Sequence, residues 1–319
     1  MATADQIKML IEAHVLKNDD RFKTLVLQLA AYEAKLGHTS FAREIREILN
    51  KSRNEDVKII HFNKEISELI GITYSDQRIS ELVVANDIKD RIKRILKEYQ
   101  MREKLRKYHL SNRRKILLEG PPGTGKTMTA SVISTEIGLP LCTIKMDKLM
   151  TKFMGETGVK LRGIFDAIKE KPAVYFFDEF DAIGTDRNKE NDVGEIRRIL
   201  NLFLQFIEQD DSESIIIAAT NNSKQLDPAL FRRFDDVIHY LLPDELQIPS
   251  LIINRLGQFS SNEIHHCMND IVKAAESLSH AELSKACDDA IKTAIMSDKK
   301  TVQGDLLLQM IKEKIGAYS

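Results

Sequence analysis

The sequence is poor in cysteine and aromatic residues, and it has no long apolar run. Its 319 residues include no tryptophan and three cysteines, Cys142, Cys267 and Cys287, without a C-x-x-C pair. This odd number argues against a secreted disulfide framework and fits a reducing compartment. The longest apolar runs, 173–177 and 215–219, are far shorter than a bilayer span. Because the first residues also lack the pattern of a signal peptide, we expect a cytoplasmic protein with no membrane partner.

The chain also lacks an excess of either charge. It has 47 basic and 48 acidic residues, so its net charge of −1 gives no reason to expect nucleic acid or an anionic membrane as a partner. Hydrophobic residues make up 43% of the chain and charged residues 30%, which excludes the disordered and fibrous classes. The length suits one large domain with an accessory, or two domains of ordinary size.

The hydrophobic pattern changes along the chain. Residues 1–55 are expected to form a small all-α N-terminal module, and residues 56–77 a linker. Residues 78–243 alternate strand and helix patterns, which predicts an α/β domain whose parallel sheet is covered on both faces. Residues 244–319 have helical patterns only and predict a small bundle. The expected strands are residues 116–119, 142–146, 173–177, 215–219 and 237–241. The helical positions expected in the N-terminal module are Phe22, Leu25, Val26 and Leu29, then Phe41, Ile45, Ile48 and Leu49.

The most specific motif is Gly-Pro-Pro-Gly-Thr-Gly-Lys-Thr at residues 120–127. It matches G-x-x-x-x-G-K-[ST] between a predicted strand and the predicted helix 128–138, which is the context that this phosphate-binding loop requires. Backbone N–H groups and the helix N-terminus would hold the phosphates of ATP. Lys126 would contact the β and γ phosphates, and the Thr127 hydroxyl would ligate Mg²⁺. The expected nucleotide-binding residues of this loop are Pro122, Gly123, Thr124, Gly125, Lys126, Thr127 and Met128.

Two acids follow a second apolar strand, in the sequence Val-Tyr-Phe-Phe-Asp-Glu at residues 174–179. Ligands of open α/β sheets bind at the carboxyl ends of the strands, where these two carboxylates would lie. Asp178 is expected to hold the Mg²⁺ shell together with Thr127. Glu179 is expected to orient or deprotonate an attacking water.

In this order the motifs resemble those of the AAA (AAA+) ATPases, in the branch that remodels proteins, from Ile79 to the end of the chain. The resemblance implies an ATP-hydrolysing P-loop domain with a helical lid, in which Asn221 contacts the γ-phosphate or the attacking water. It also implies that Arg232 and Arg233 include an arginine finger that reaches the ATP of a neighbouring subunit. Many relatives separate these arginines by Pro-Gly, whereas here they are adjacent, so either residue could be the finger.

The resemblance further implies a base pocket and a pore. Val84, His280 and Ala281 correspond to residues near the adenine. His280 stands where relatives often have glycine, and a histidine that only caps or packs the helix fits this position equally well. The segment Lys152, Phe153, Met154 and Gly155 is similar to the loop that lines the ring's pore, where Phe153 would grip a polypeptide. Without the resemblance, a Phe-Met pair is usually core. The polar stretch 186–192 is a further candidate pore loop.

Three functions fit these features. The first is a homo-oligomeric ring, expected to be a hexamer, that remodels or threads protein substrates. The second is a nucleic-acid motor, since residues 89–115 contain twelve basic residues and three acids. However, a solvated helix explains such a run better, and no stacking platform accompanies it. The third is a nucleotide-switched adaptor that recruits a partner through residues 1–53. The chain also resembles bacterial single-ring AAA proteins, some encoded beside subtilisin-like proteases, so a separate protease or adaptor is a possible partner.

Overall fold

The computed structural model describes residues 4–15, 19–35, 60, 62–150, 154–183, 190–222 and 228–316. The chain divides into two compact units, Met1–Ile59 and Ile60–Ser319. In the first unit, α1 (Ala4–Val15) packs against α2 (Asp19–Lys35). The spacing of Phe22, Leu25, Val26 and Leu29 predicted a helix here, and α2 contains all four. The second helix expected in this module, with Phe41 and Leu49, lies outside the described residues.

A six-stranded sheet forms the centre of the second unit. Its order is β1-β3-β4-β5-β2-β6, and β2 to β6 are all parallel, as the alternation of strands and helices predicted. The central strands β4 and β5 are buried along their whole length, because helices cover both faces of the sheet. The strands are β1 (Ile70–Thr73), β2 (Lys115–Glu119), β3 (Leu141–Ile144), β4 (Val174–Phe177), β5 (Ile215–Thr220) and β6 (Asp236–His239).

Residues 56–77 are not simply a linker, which corrects the prediction. The segment contains a short helix, α3 (Lys64–Leu69), and the edge strand β1, which runs antiparallel to β3. Asn63 begins α3, because its side-chain oxygen accepts a hydrogen bond from the backbone N–H of Ile66 at 2.9 Å. The second unit therefore begins well before residue 78, the predicted start of the α/β domain.

Helices cover the sheet and then form a separate bundle. The helices of the α/β part are α4 (Asn86–Gln100), α5 (Arg102–Arg106), α6 (Lys126–Ile137), α7 (Met146–Leu149), α8 (Met154–Glu170), α9 (Glu190–Gln209) and α10 (Pro228–Phe231). The bundle consists of α11 (Gln247–Leu256), α12 (Asn262–Ala275), α13 (His280–Met296) and α14 (Gly304–Gly316), which share one apolar core. The arrangement is an α/β P-loop fold with a C-terminal helical part, as expected.

Sheet order brings the ends of β2, β4 and β5 together. In the register, Phe177 of β4 lies beside Ala218 of β5, and Glu119 of β2 lies beside Thr220 of β5. The loop 120–125, the acids that follow β4, and Asn221 after β5 consequently meet at one edge of the sheet.

Candidate active site

A cavity of about 820 Å³ lies at this edge, between the sheet and the helical bundle. Twenty residues line it, eleven that the sequence analysis selected and nine that it did not. The predicted residues that line it are Pro122, Gly123, Gly125, Lys126, Thr127, Met128, Asp178, Glu179, Asn221, His280 and Ala281. The others are Gln77, Ser80, Glu81, Leu82, Val83, Leu251, Asn254, Arg255 and Ser284.

The loop 120–125 turns the chain sharply between β2 and α6. Gly123 and Gly125 have φ angles of 74° and 100°, a region that side chains disfavour. The Lys126 ammonium donates hydrogen bonds to the carbonyls of Gly120 and Pro121, both at 2.7 Å. Burial lowers the pKa of Lys126, while the carboxylates of Asp178 and Asp181 favour its charged form. The loop thus presents a cation and the N-terminus of a twelve-residue helix to the cavity.

Thr127 and Asp178 are in direct contact. The Thr127 hydroxyl donates a hydrogen bond to Asp178 Oδ2 at 3.0 Å, and the other carboxylate oxygen accepts one from the backbone N–H of Glu179 at 2.9 Å. Hydroxyl and carboxylate oxygens are ligands of the kind that Mg²⁺ prefers, so this pair fits that ion. Within the part of the chain that the structure describes, no cluster of three or more His, Cys, Asp or Glu side chains offers another metal site.

Glu179 is exposed to the cavity in an unusual backbone conformation. Its φ angle is 51°, which is uncommon for a residue other than glycine and marks strain at functional sites. The following 3₁₀ turn, Phe180–Ile183, holds this geometry, because Phe180 is fully buried and its ring centroid is 4.6 Å from that of Phe203. Asp181 in the same turn accepts a weak hydrogen bond at 3.4 Å from the backbone N–H of Asn221.

The opposite wall of the cavity differs from the sequence expectation at Val84. That side chain is buried in the core beneath the sheet, whereas Val83 lines the cavity and packs against the helical bundle. Adjacent residues of an extended segment point to opposite sides, which explains the shift by one position. Thr124 also faces away from the cavity lining, with its hydroxyl donating to the carbonyl of Pro121 at 2.8 Å.

His280 and Ala281 begin the helix α13 at the cavity wall. The Ala281 N–H donates to the carbonyl of Gly123 at 3.0 Å, so the bundle touches the phosphate loop directly. The His280 side chain is nearly buried, and neither ring nitrogen forms a well-aligned hydrogen bond with any described residue. Burial lowers the pKa of His280, against the opposing effects of the nearby Val83 backbone and the charge of Asp244.

The remaining predicted residues lie elsewhere. Arg232 is exposed beyond α10, and Arg233 Nε lies 3.5 Å from a carboxylate oxygen of Glu208; neither lines the cavity. Lys152 and Phe153 are outside the described residues. Met154 and Gly155, which were expected in a pore loop, form the first turn of α8. Of the candidate pore stretch 186–192, residues 190–192 begin α9 and the rest falls outside the described residues.

Arg255 is one functional candidate that the sequence analysis missed. It lies on α11 of the bundle, and its guanidinium forms a two-point ion pair with Asp288 of α13, with distances of 2.7 and 2.6 Å. No local motif marks Arg255, Asn254 or Ser284. Only the packing of α11 and α13 against each other places them at the cavity.

Comparison with known proteins gives consistent results. The model of the family described as "ATPase family associated with various cellular activities (AAA)" matches residues 116–241. An uncharacterized AAA family ATPase, y4kL, of Sinorhizobium fredii is 29% identical over 312 residues, which cover 95% of this chain and 92% of y4kL. A proteasome-activating nucleotidase of Methanococcus maripaludis is 33% identical over 208 residues, covering 63% of this chain and 51% of the relative. The peroxisomal ATPase pex6 of Schizosaccharomyces pombe is 32% identical over 63% of this chain and 22% of the relative.

The chain therefore spans nearly all of one relative but about half or less of the other two. Among the helices that the structure describes, none is both long and apolar enough to cross a membrane.

Proposed function

Since the chain belongs to the AAA family of ATPases and is an ATP hydrolase, we propose that it hydrolyses Mg·ATP in the cavity beside Lys126 and works as a ring on protein substrates. The observation that carries the proposal is the contact of Thr127 with Asp178 inside this cavity, next to the Lys126 ammonium. It brings together, from distant parts of the chain, a cation that suits phosphate and two oxygen groups that suit Mg²⁺.

Each of these residues has a separate role in the proposed reaction. Lys126 neutralises charge on the β and γ phosphates by exchanging its carbonyl partners for phosphate oxygens. Thr127 and Asp178 would hold Mg²⁺, which would supply positive charge beside the phosphates. Glu179 is exposed at the same edge and accepts a proton from the attacking water. Asn221 follows the neighbouring strand and orients that water or the γ-phosphate.

The base side of the cavity is less polar. Leu82, Val83, Leu251 and Ala281 form an apolar wall, which suits the faces of an adenine ring. His280 lies at the same wall as a neutral ring.

The positions of the two arginines support a shared active site. Neither lines the cavity of its own chain, so these two arginines could act only on the ATP of a neighbouring copy. Arg233 lies beside Glu208 of its own chain, whereas Arg232 is more exposed, which makes Arg232 the better candidate for the finger. A ring, with six subunits as the expected number, gives every site such a neighbour.

Protein substrates are proposed from the relatives and from the sequence. One relative is named for activating proteasomes and shares a third of its aligned residues with this chain. Phe153 and the adjacent residues 152–155 are the proposed pore segment, and α8 begins within it. A separate protease or adaptor and a cytoplasmic location stay predictions. The free thiols of Cys142, Cys267 and Cys287 are compatible with that location.

A nucleic-acid partner is less well supported. Five of the twelve basic residues in the stretch 89–115 form ion pairs within the protein, which reduces the charge available to a phosphate backbone. The internal ion pairs are Arg91 with Asp236, Lys93 with Asp90, Arg106 with Glu213, Arg113 with Glu98, and Arg114 with Asp210. For the adaptor hypothesis, exposed Ile11 and Leu27 on α1 and α2 offer apolar contacts, but single exposed side chains are normal on any surface.

Titration calorimetry with Mg·ATP and Mg·ADP tests the nucleotide site. Lys126→Ala should weaken binding by about tenfold to a hundredfold or more, because a buried ammonium and its charge-assisted hydrogen bonds are lost. Lys97→Ala, on the exposed side of α4, is the matched control and should bind like the wild type. Equal affinity in the wild type and in Lys126→Ala would refute the assignment of the cavity.

Light scattering on Glu179→Gln tests the ring. This variant should bind ATP without turnover and should shift towards six subunits when Mg·ATP is added. A monomer that binds ATP would contradict the ring and the pore, and it would favour the adaptor function.

A further inference from the structure

Tyr240 connects the α/β part of the second unit to the helical bundle. It follows β6 directly, and its backbone N–H donates to the carbonyl of Glu119 at 2.6 Å, immediately before the phosphate loop. The side chain is 2% exposed and belongs to the apolar core beneath the sheet. The next six residues, 241–246, lead to α11, the first helix of the bundle.

Tyr240 contacts the first residue of the phosphate loop through its backbone. Gly120 has a φ angle of 148°, and a Cβ atom at this position would collide with the carbonyl oxygen of Tyr240 and lie 2.8 Å from its Cβ. Any displacement of Gly120 toward this side must therefore move Tyr240 as well, because the two backbones are already in close contact.

The Tyr240 side chain reaches the far end of the same loop. Its hydroxyl lies 2.6 Å from the Thr129 hydroxyl, which itself donates to the carbonyl of Gly125 at 3.0 Å. Because the single proton of Thr129 is used for Gly125, Tyr240 is the donor in the pair. Both side chains are buried, so the two hydrogen bonds form a dry chain from Tyr240 to the loop. Burial also raises the pKa of Tyr240, which keeps the hydroxyl protonated as a donor.

The connection from Tyr240 to the bundle is short and locally constrained. Pro243 in this segment is buried and has a fixed φ angle. One carboxylate oxygen of Asp244 accepts hydrogen bonds from the N–H groups of Leu246 and Gln247, at 3.0 and 2.8 Å, and so fixes the start of α11. A movement of Tyr240 therefore also moves the start of α11, because the six residues between them are held at Pro243 and Asp244.

We propose that Tyr240 is a positioning residue that couples the shape of the phosphate loop to the orientation of the helical bundle. It holds the loop at Gly120 and, through Thr129, at Gly125, and the bundle holds the same loop at Gly123 through the Ala281 N–H. Phosphates that rearrange this loop therefore act on the bundle in two ways, through Tyr240 and through the contact of Ala281 with Gly123. The inference rests on the proposed nucleotide site.

Tyr240→Phe removes the hydroxyl and keeps the ring in its place. We expect Mg·ADP affinity to fall about twofold to tenfold, the effect of one buried hydrogen bond on the loop. We also expect nucleotide to slow hydrogen exchange of the Ala281 amide less than in the wild type. Tyr175→Phe is the matched control, because this buried tyrosine in β4 donates to the carbonyls of Ala167 and Lys171, away from the loop. It should lower thermal stability as Tyr240→Phe does, but leave nucleotide affinity and Ala281 exchange unchanged.

Thr129→Val tests the same chain of hydrogen bonds from the other side. It should reproduce the loss of affinity, and the double variant should lose no more than either single variant. If Tyr240→Phe and Thr129→Val bind nucleotide and protect Ala281 like the wild type, Tyr240 merely fills the core. That result differs from failure of the proposed function, in which the wild type itself does not bind nucleotide.

Discussion

The hydroxyl of Thr127 and the carboxylate of Asp178 form a hydrogen bond of 3.0 Å across 51 positions of sequence. The first belongs to α6, which follows β2 and the loop 120–125, and the second follows β4. In the sheet β5 lies between β4 and β2, and because all three strands are parallel, they end at the same edge. Sheet order thus assembles the proposed metal site, and neither residue alone defines it.

Removing the Thr127 hydroxyl should change the response to Mg²⁺ more than it changes the fold. In Thr127→Val we expect the Mg²⁺ concentration for half-maximal ATP turnover to rise and maximal turnover to fall by about tenfold or more. Thr135→Val, on the same helix, removes a hydroxyl that donates to the carbonyls of Ser75 and Ser131, away from Asp178. It serves as the control in steady-state kinetics across Mg²⁺ concentrations. An unchanged Mg²⁺ response in Thr127→Val would remove this residue from the metal site.

A methyl group on Gly123 should disturb the contact between the phosphate loop and the bundle. Its Cβ would lie 2.6 Å from the Ser279 hydroxyl oxygen, in addition to the strain of a φ angle of 74°. Gly138 has nearly the same angle, 71°, with open space around it, so Gly138→Ala measures the backbone strain alone. That strain costs about 1–2 kcal/mol. Urea unfolding should show a larger loss of unfolding free energy for Gly123→Ala than for Gly138→Ala. Equal losses would mean that the bundle shifts away from the added methyl group without cost.

Mixed rings should show whether Arg232 acts on a neighbour. Arg232→Ala alone should lower turnover by about 10³ or more, as loss of an arginine finger does. Lys126→Ala alone should also be inactive, but its subunits keep Arg232 and can complete the site of an Arg232→Ala neighbour. ATPase activity should therefore recover when the two variants are mixed. The same experiment with Arg233→Ala should show a smaller defect. No recovery in either mixture would argue against a shared site.

His280 should make the protein less stable in mild acid. Its pKa is lowered in the folded chain, so below about pH 6.5 the unfolded chain binds a proton that the folded chain resists. Stability is lost as the pH falls through that value, and the loss ends once the folded chain is protonated too. In His280→Gln, unfolding free energies measured between pH 7 and 5 should fall less steeply. His265→Gln, at an exposed position on α12, should keep the wild-type slope. An equal slope in His280→Gln would exclude this effect.

Residues that are adjacent in the chain were the easiest to predict. The loop 120–127 and the pair Asp178 and Glu179 each occupy a short segment whose strand or helix is itself recognisable, so their common edge follows from the sheet type. Arg255 and Asn254 were missed because α11 reaches the cavity only through packing of the bundle, which no local pattern encodes.

The edge strand β1 was missed for a different reason. Its sequence, Ile-Gly-Ile-Thr, is only four residues long and contains a glycine, which is disfavoured in strands, so the strand pattern is weak. Pairing with β3 stabilises it instead. The segment that contains Val83 and Val84 was recognised, but Val84 was expected at the cavity. Val83 lines the cavity instead, because neighbouring side chains face opposite sides.

The position of β1 also determines how the chain can be shortened without aggregation. Trimming it at residue 78, the domain start suggested by sequence, would strip β1 from β3 and leave the apolar strand Leu141–Ile144 with a bare row of backbone donors and acceptors. Such an edge is a template for pairing with other chains. A chain that starts at residue 78 should become turbid on mild warming, whereas one that starts at residue 60 should stay clear.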